Sequence, residues 1–240
     1  MNTVVTDKNG IATTDTLPLG RYTIRETKAP IFYSATTQPI EAEIEFSGQI
    51  VRIEVLNQSV YTNVSVSKRG YKQVTPSQTI RYDFKNIANN STVPLNSFYW
   101  RDTLPTSAVR LTKIVTGTWN QRLSYKVVYK TNLHDYRTLA DNLSTMKNYS
   151  LDASPAALGL ASNEYVTDFM FVFGTVKAGF AQVDAPYILC WTNSWLNNGY
   201  QFANRTDVGG LHGGQWIMAT DRWVTTVYKP GITRLPTTGY

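Results

Sequence analysis

Val64-Ser65-Val66-Ser67-Lys68 and Ile80-Arg81-Tyr82-Asp83-Phe84 alternate apolar with polar side chains at a period of two. In an extended backbone alternate residues share a face, so each stretch presents its apolar members on one side of a strand. The same alternation recurs at Arg21 to Thr27, Val51 to Asn57 and Leu123 to Tyr129, in runs rich in Thr, Val, Tyr and Ile and punctuated by Gly, Pro and Asn. Helical spacing is confined to two places. Leu139, Leu143 and Met146 fall three to four apart, and Ser154-Pro155-Ala156-Ala157-Leu158 reads as a cap followed by proline in a first turn. The expectation is an all-β chain, mainly antiparallel, folded as β-sandwich domains with one or two short helices.

The chain has 240 residues, 42% hydrophobic, 12% aromatic and 17% charged, with a formal charge of +6. That is apolar enough for one large or two modest folded domains. The longest uncharged apolar run, Phe169 to Val176, is eight residues, well short of the roughly 18 to 20 a membrane helix needs. The opening MNTVVTDKNG has neither the basic start nor the apolar core of a secretion signal. One cysteine, Cys190, excludes an intrachain disulfide framework and a multi-cysteine zinc site; it reads as a small buried hydrophobe. His134 and His212 stand too far apart for a histidine metal pair, so neither a metal nor a cofactor is expected. Basic residues are scattered, without the block that tracks phosphates, which argues against a nucleic-acid partner. Gly209 to Gly214 precedes a strand-like run, not a helix, and so makes a poor phosphate cradle.

A boundary falls near residue 58, giving a first unit at 1–58, a second at 59–228 and a spacer with a terminal motif at 229–240. The terminal motif is Leu235-Pro236-Thr237-Thr238-Gly239, followed by Tyr240. It resembles the Leu-Pro-x-Thr-Gly sorting signal of Gram-positive surface proteins. The resemblance implies recognition by a sortase, whose cysteine attacks the Thr238-Gly239 peptide and passes the acyl group to peptidoglycan or to a pilin lysine. Such a reaction requires an extended, exposed pentapeptide, in which proline fixes one φ and glycine admits the enzyme's groove. In the family an apolar membrane segment and a basic tail follow the signal, so contact with a membrane is implied only through a segment beyond Tyr240.

In the first unit Thr6-Asp7-Lys8-Asn9-Gly10-Ile11-Ala12 is followed by Leu17-Pro18-Leu19-Gly20-Arg21-Tyr22-Thr23-Ile24-Arg25-Glu26-Thr27-Lys28-Ala29-Pro30. These stretches resemble the Cna B-type, SpaA or prealbumin-like, repeat of Gram-positive adhesins and pilins, over roughly residues 4 to 58. The family has Gly before the Tyr where this chain has Ile31-Phe32-Tyr33. The resemblance implies that Glu26 is the glutamate assisting an isopeptide bond and Asn57 the asparagine that receives it. Strand parity agrees on direction: Tyr22, Ile24 and Glu26 share one face, and Val51, Ile53, Val55 and Asn57 another. The family's lysine belongs in a strand upstream of residue 1. Lys8 sits in a turn and is a poor substitute, so the first unit reads as the C-terminal half of a repeat that lacks its lysine partner.

In the second unit Val64, Val66 and Lys68 share a strand face, as do Phe98, Trp100, Asp102 and Leu104, and as do Tyr200, Phe202, Asn204 and Val208. Lysine on a first strand, aspartate 34 residues on and asparagine 136 residues on resemble the isopeptide-forming Cna A-like domains of the same proteins, with immunoglobulin-like folds. Desolvation lowers a lysine's pKa and frees its nucleophilic amine. It raises the pKa of Asp102, which then donates to the Asn204 carbonyl and acts as the acid and base of the reaction. Trp100 and Phe202 are expected to keep the pocket dry. The alternative reading of the residues alone is an ordinary Lys–Asp salt bridge and a turn asparagine.

Together the resemblances imply a secreted, cell-wall-anchored structural protein of pilin or stalk type, not a turnover enzyme. Its implied partners are a sortase and peptidoglycan or other pilin subunits. The alternative is an adhesin module that binds a host matrix protein or glycan through outward aromatics such as Tyr99 and Tyr125.

Overall fold

The computed structural model describes residues 2–30 and 33–230 of the chain. It divides into two compact units, residues 1–60 and 61–240.

The first unit contains four short strands, β1 (Gly20–Ile24), β2 (Tyr33–Ser34), β3 (Ile40–Ile44) and β4 (Gln58–Ser59). β1 pairs antiparallel with β3, placing Tyr22 opposite Ala42, and β2 pairs antiparallel with β4. Ahead of them Asp7 Oδ1 accepts the backbone N–H groups of Asn9 and Ile11 at 2.8 and 2.9 Å. These bonds hold the Asp7 carboxyl below its ordinary pKa and fix the turn carrying Lys8. The alternation at Val51 to Asn57 does not become a strand. Val51, Ile53 and Val55 stay 38 to 39% exposed, and none of the described strands pairs with the segment. Alternation assigns side chains to a face, but a strand also needs a hydrogen-bonding neighbour.

The second unit contains β5 (Val64–Gly70), β6 (Gln73–Val74), β7 (Thr79–Asn89), β8 (Leu95–Thr103), β9 (Val109–Val115) and β10 (Ser124–Thr131). It continues with β11 (Arg137–Ser144), β12 (Ser150–Asp152), β13 (Val166–Val176), β14 (Tyr187–Thr192), β15 (Gln201–His212) and β16 (Gln215–Val227). Seven strands form one sheet in the order β11-β10-β13-β8-β15-β16-β6, and five form the other in the order β12-β9-β14-β7-β5. These pairings are antiparallel except the short β16–β6 contact. The sheets bury their inner faces on one another as a β-sandwich. Ile80, Tyr82 and Phe84 of β7 and Ile188 and Cys190 of β14 share one core with Phe98 and Trp100 of β8 and Phe169, Phe171 and Phe173 of β13. Aromatic contacts run through it, including Trp100–Phe171 at 4.5 Å and the stacked Trp119–Phe180 pair at 5.3 Å between ring centres.

The described residues contain no helix, which corrects the two expected ones. Leu139 and Leu143 lie on β11, where Leu143 pairs with Tyr125 and the ladder carries register shifts. A spacing of four is common to a helix face and a strand face, and Asn142, at φ 52°, marks the irregularity. Ser154 to Leu160 makes isolated turns, with Leu158 N–H on Ser154 O and Leu160 N–H on Pro155 O, ended by Gly159 at φ 61°. Gly213 and Gly214, at φ 56° and 82°, close a two-residue hairpin between β15 and β16, where L-residues with side chains would be strained. Tyr125, expected to face solvent, is 3% exposed and stacks on Phe171 and Phe173.

Candidate functional site

β5 is the outer strand of the five-stranded sheet and carries Lys68 opposite Phe84 of β7. Because alternate residues share a face, the parity that buries Val64 also turns Lys68 inward. The ladder is bulged between Ser65 and Ser67, and Asn86 bridges the bulge by donating its amide to Ser67 Oγ. Lys68 is fully buried, with Nζ 3.9 Å from the Phe84 ring centre and 4.9 Å from that of Tyr82. These are favourable cation–π positions for an ammonium, yet the rings also strip it of water.

Asp102 lies near the end of β8, in the opposite sheet, between Phe169 of β13 and Thr206 of β15. It is fully buried and accepts a hydrogen bond from Lys68 Nζ at Oδ1. Its Oδ2 makes no hydrogen bond. Asn204 stands on β15 two residues from Thr206, on the same inner face, and is fully buried with neither amide atom hydrogen-bonded. The amide lies near enough to Asp102 to lower its carboxyl pKa, although neither amide atom meets hydrogen-bond geometry.

Burial pushes the Lys68 amine below its ordinary pKa, and Asp102 only partly opposes this. Burial pushes the Asp102 carboxyl up, while Lys68 and the nearby Asn204 amide pull it back. The pair therefore tends toward neutral amine and neutral acid, the forms that a low-dielectric interior tolerates. Burial likewise raises the Cys190 thiol and the Tyr82 hydroxyl, which keeps both uncharged.

Of the residues singled out in the sequence, Lys68 and Asp102 meet directly, and Asn204 sits on the strand beside Asp102. Trp100 and Phe202, expected to keep the pocket dry, are both buried in the core that holds Tyr82 and Phe84. Trp100 stands behind Phe84, with ring centres 4.6 Å apart, and donates Nε1 to Thr206 Oγ1. Phe202 stacks on Tyr200. Tyr82 and Phe84 lie directly over the amine, and their alternation with Arg81 and Asp83 is visible in the sequence. Their place beside Lys68 follows from the β5–β7 register, which the sequence does not state. Asp221 was missed altogether: its Oδ2 accepts the backbone N–H of Lys68 at 2.7 Å.

In the first unit Glu26 and Asn57 also meet. Asn57 Nδ2 donates to Glu26 Oε1 at 2.9 Å, and Thr36 N–H donates to Glu26 Oε2 at 2.9 Å. Asn57 Oδ1 is buried without a partner. Lys8 is exposed in its turn, and among the described residues Glu26 forms no salt bridge. Leu235, Pro236, Thr237, Thr238 and Gly239, with Ile31 and Phe32, lie outside the described residues.

Residues 1–59 match the family model described as SpaA, a prealbumin-like fold domain. No curated protein matches the chain. Among solved structures, the chain is similar to BcpA, the major pilin subunit of Bacillus cereus, at 13% identity and a TM-score of 0.39, over 95% of this chain and 60% of that one. It is similar to the full-length major pilin SpaD of Corynebacterium diphtheriae at 18% identity and a TM-score of 0.31, over 93% of this chain and 51% of that one. The collagen-binding domain of a Staphylococcus aureus adhesin aligns at 13% identity and a TM-score of 0.29, over 70% of this chain and all of that domain. The chain thus spans 60% and 51% of the two pilins' lengths.

Proposed function

We propose that this chain is part of a Gram-positive cell-surface protein of stalk or pilin type, structural in role, whose second unit locks itself with an isopeptide bond between Lys68 and Asn204. The observation that carries the reading is the fully buried Lys68–Asp102 contact beside an Asn204 amide that has no hydrogen-bond partner. Lys68 Nζ attacks Asn204 Cγ, forming the Nζ–Cγ bond as the Cγ–Nδ2 bond breaks. Asp102, protonated, donates to the Asn204 carbonyl, then relays a proton from the lysine nitrogen to the departing Nδ2, which leaves as ammonia. No oxidant, metal or cofactor enters the balance.

On this reading residues 1–58 are the C-terminal part of a Cna B-type repeat, supported by the family match over residues 1–59. Residues 59–228 are the isopeptide-forming domain. Leu235 to Gly239 then serve as the sortase signal that joins the protein to peptidoglycan or to another pilin subunit, outside the cell. The test is the intact mass of the purified chain and of K68A, D102A and N204A. A deficit of one ammonia, about 17 Da, is expected in the parent and in none of the variants; a full mass in the parent refutes the cross-link.

An adhesin role is the second reading, supported by exposed aromatics on the outer side of the seven-stranded sheet. Trp216 is 55% exposed and packs edge-on to Tyr99 with ring centres 6.0 Å apart. Loss of glycan or matrix-protein binding in W216A, with the mass deficit intact, is the result that favours it.

A further inference from the structure

Three inward positions line up across the seven-stranded sheet: Asp102 on β8 pairs with Thr206 on β15, and Thr206 pairs with Asp221 on β16. Lys68 crosses this row from the opposite sheet and is gripped at two points. Its Nζ donates to Asp102, and its backbone N–H donates to Asp221 Oδ2 at 2.7 Å. The other Asp221 oxygen, Oδ1, accepts the N–H of Arg222 at 2.8 Å, which fixes the carboxylate against its own strand. Thr206 between the two acids is itself locked, accepting from Trp100 Nε1 and donating to Arg101 O, both at 2.8 Å.

β5 is an edge strand, so backbone N–H groups that do not bond to β7 have no ladder partner. At Lys68 that missing bond is supplied by a side chain from the other sheet, across 153 residues of sequence. The bond falls at the residue whose side chain must reach Asn204, and β5 is bulged just upstream of it. An edge strand free to shift by about 1 Å loses the near-attack geometry on which a reaction between bound groups depends.

We infer that Asp221 is a positioning residue for the Lys68–Asn204 cross-link: it pins the β5 backbone at Lys68 so that the amine is presented to Asn204. The inference rests on the isopeptide reading above. Asp221 touches none of the reacting atoms. Its role is carried by the acceptor oxygen and not by the charge, because a negative charge near Lys68 favours the ammonium, the unreactive form.

The experiment follows ammonia loss in the full chain during cell-free synthesis, quenched in acid at intervals and read by intact mass. D221A, D221N and the parent are compared, with circular dichroism and thermal melting of each. D221A is expected to fold and to cross-link about tenfold more slowly, the scale of one lost hydrogen bond expressed in a rate. D221N keeps one acceptor oxygen for the Lys68 N–H, giving up only the local bond from Arg222 N–H, and is expected near the parental rate. A merely structural role would lower the melting temperature of D221A without slowing its cross-linking, and that result overturns the inference. So does a D221N rate as low as that of D221A, which would assign the effect to charge. Should D221A not fold, D221S, with its shorter polar side chain, is judged by the same rates. A parent chain of full mass defeats the isopeptide reading itself, an outcome distinct from any in which the parent cross-links and the Asp221 variants match it.

Discussion

Lys68 and Phe84 are direct cross-strand partners in the β5–β7 ladder, and the lysine amine lies 3.9 Å from the centre of the phenylalanine ring. A ring in that place does two opposing things. Its π face attracts an ammonium, while its bulk excludes the water that an ammonium needs. Burial is the leading cause of the lowered Lys68 pKa and outweighs the opposing pull of Asp102.

Replacing Phe84 separates the two. Phe84→Leu keeps the apolar bulk and removes the π face, so cross-linking should survive at a similar rate. Phe84→Ala opens the pocket and a cavity, costs about 3 to 5 kcal/mol and should slow the reaction by admitting water. Denaturant melts and a mass time course on both variants check this.

Asn204→Ala removes the electrophile and nothing else that is hydrogen-bonded. The cross-link closes a loop of more than a hundred residues, so its loss should lower stability by about 4 to 5 kcal/mol on the chain-entropy model. Urea denaturation of the parent and of N204A measures the difference. Equal midpoints would count against the bond.

The pH behaviour of uncross-linked variants follows from the two shifts. Lys68 lies below its ordinary 10.5, so the unfolded chain binds the extra proton and stability rises with pH in the window below 10.5. Asp102 lies above its ordinary 3.8, so the folded chain holds the extra proton and stability falls as pH rises in the window above 3.8. In N204A both groups remain and the trends oppose, so its melting temperature should climb less steeply with pH than that of D102N. In D102N only the lysine remains, and the melting temperature should climb from pH 7 toward 10. A flat D102N profile would show that Lys68 is not buried as a neutral amine.

The first unit makes a separate, negative prediction. Asn57 is held by Glu26, and among the described residues no lysine forms an ion pair with that carboxylate. The parent should therefore lose one ammonia and not two, and N57A should keep that single deficit. A second deficit that disappears in N57A would mean that a lysine does reach the pair.

Gly70 offers a stability test close to the site. A Cβ added there would lie 2.8 Å from Tyr82 Cδ1 and 2.9 Å from Trp223 Cδ1, too close for either ring. Gly70→Ala should destabilise by about 1 to 3 kcal/mol and, by displacing Tyr82 from above the Lys68 amine, slow the cross-link as well.

Much of this was legible in the sequence because strand parity is a local property. Lys68, Asp102 and Asn204 each fall on the apolar parity of their strands, and all three are fully buried. Lys68 and Asp102 were joined by a lysine–aspartate–asparagine spacing like that of a known family. What could not be read is whatever depends on registration between strands far apart in sequence. Phe84 beside Lys68 depends on the β5–β7 ladder, and Asp221 depends on a bond from one sheet to the other. Val51 to Asn57 failed for the complementary reason, since its parity is correct and its ladder is absent. Leu139 and Leu143 failed because four is a multiple of two.

The placement of Lys68 on the first strand of the second unit and of Asn204 on its next-to-last strand also has a mechanical meaning. When the two ends of the chain are pulled apart, tension follows the covalent path of fewest bonds. With the amide in place that path enters at Lys68, crosses to Asn204 and leaves through β16. Residues 69 to 203, which hold most of the core, carry none of the load. Hydrogen-bonded ladders confined to those residues become passengers, and of the long ladders only the β15–β16 hairpin beyond Asn204 stays in the loaded path.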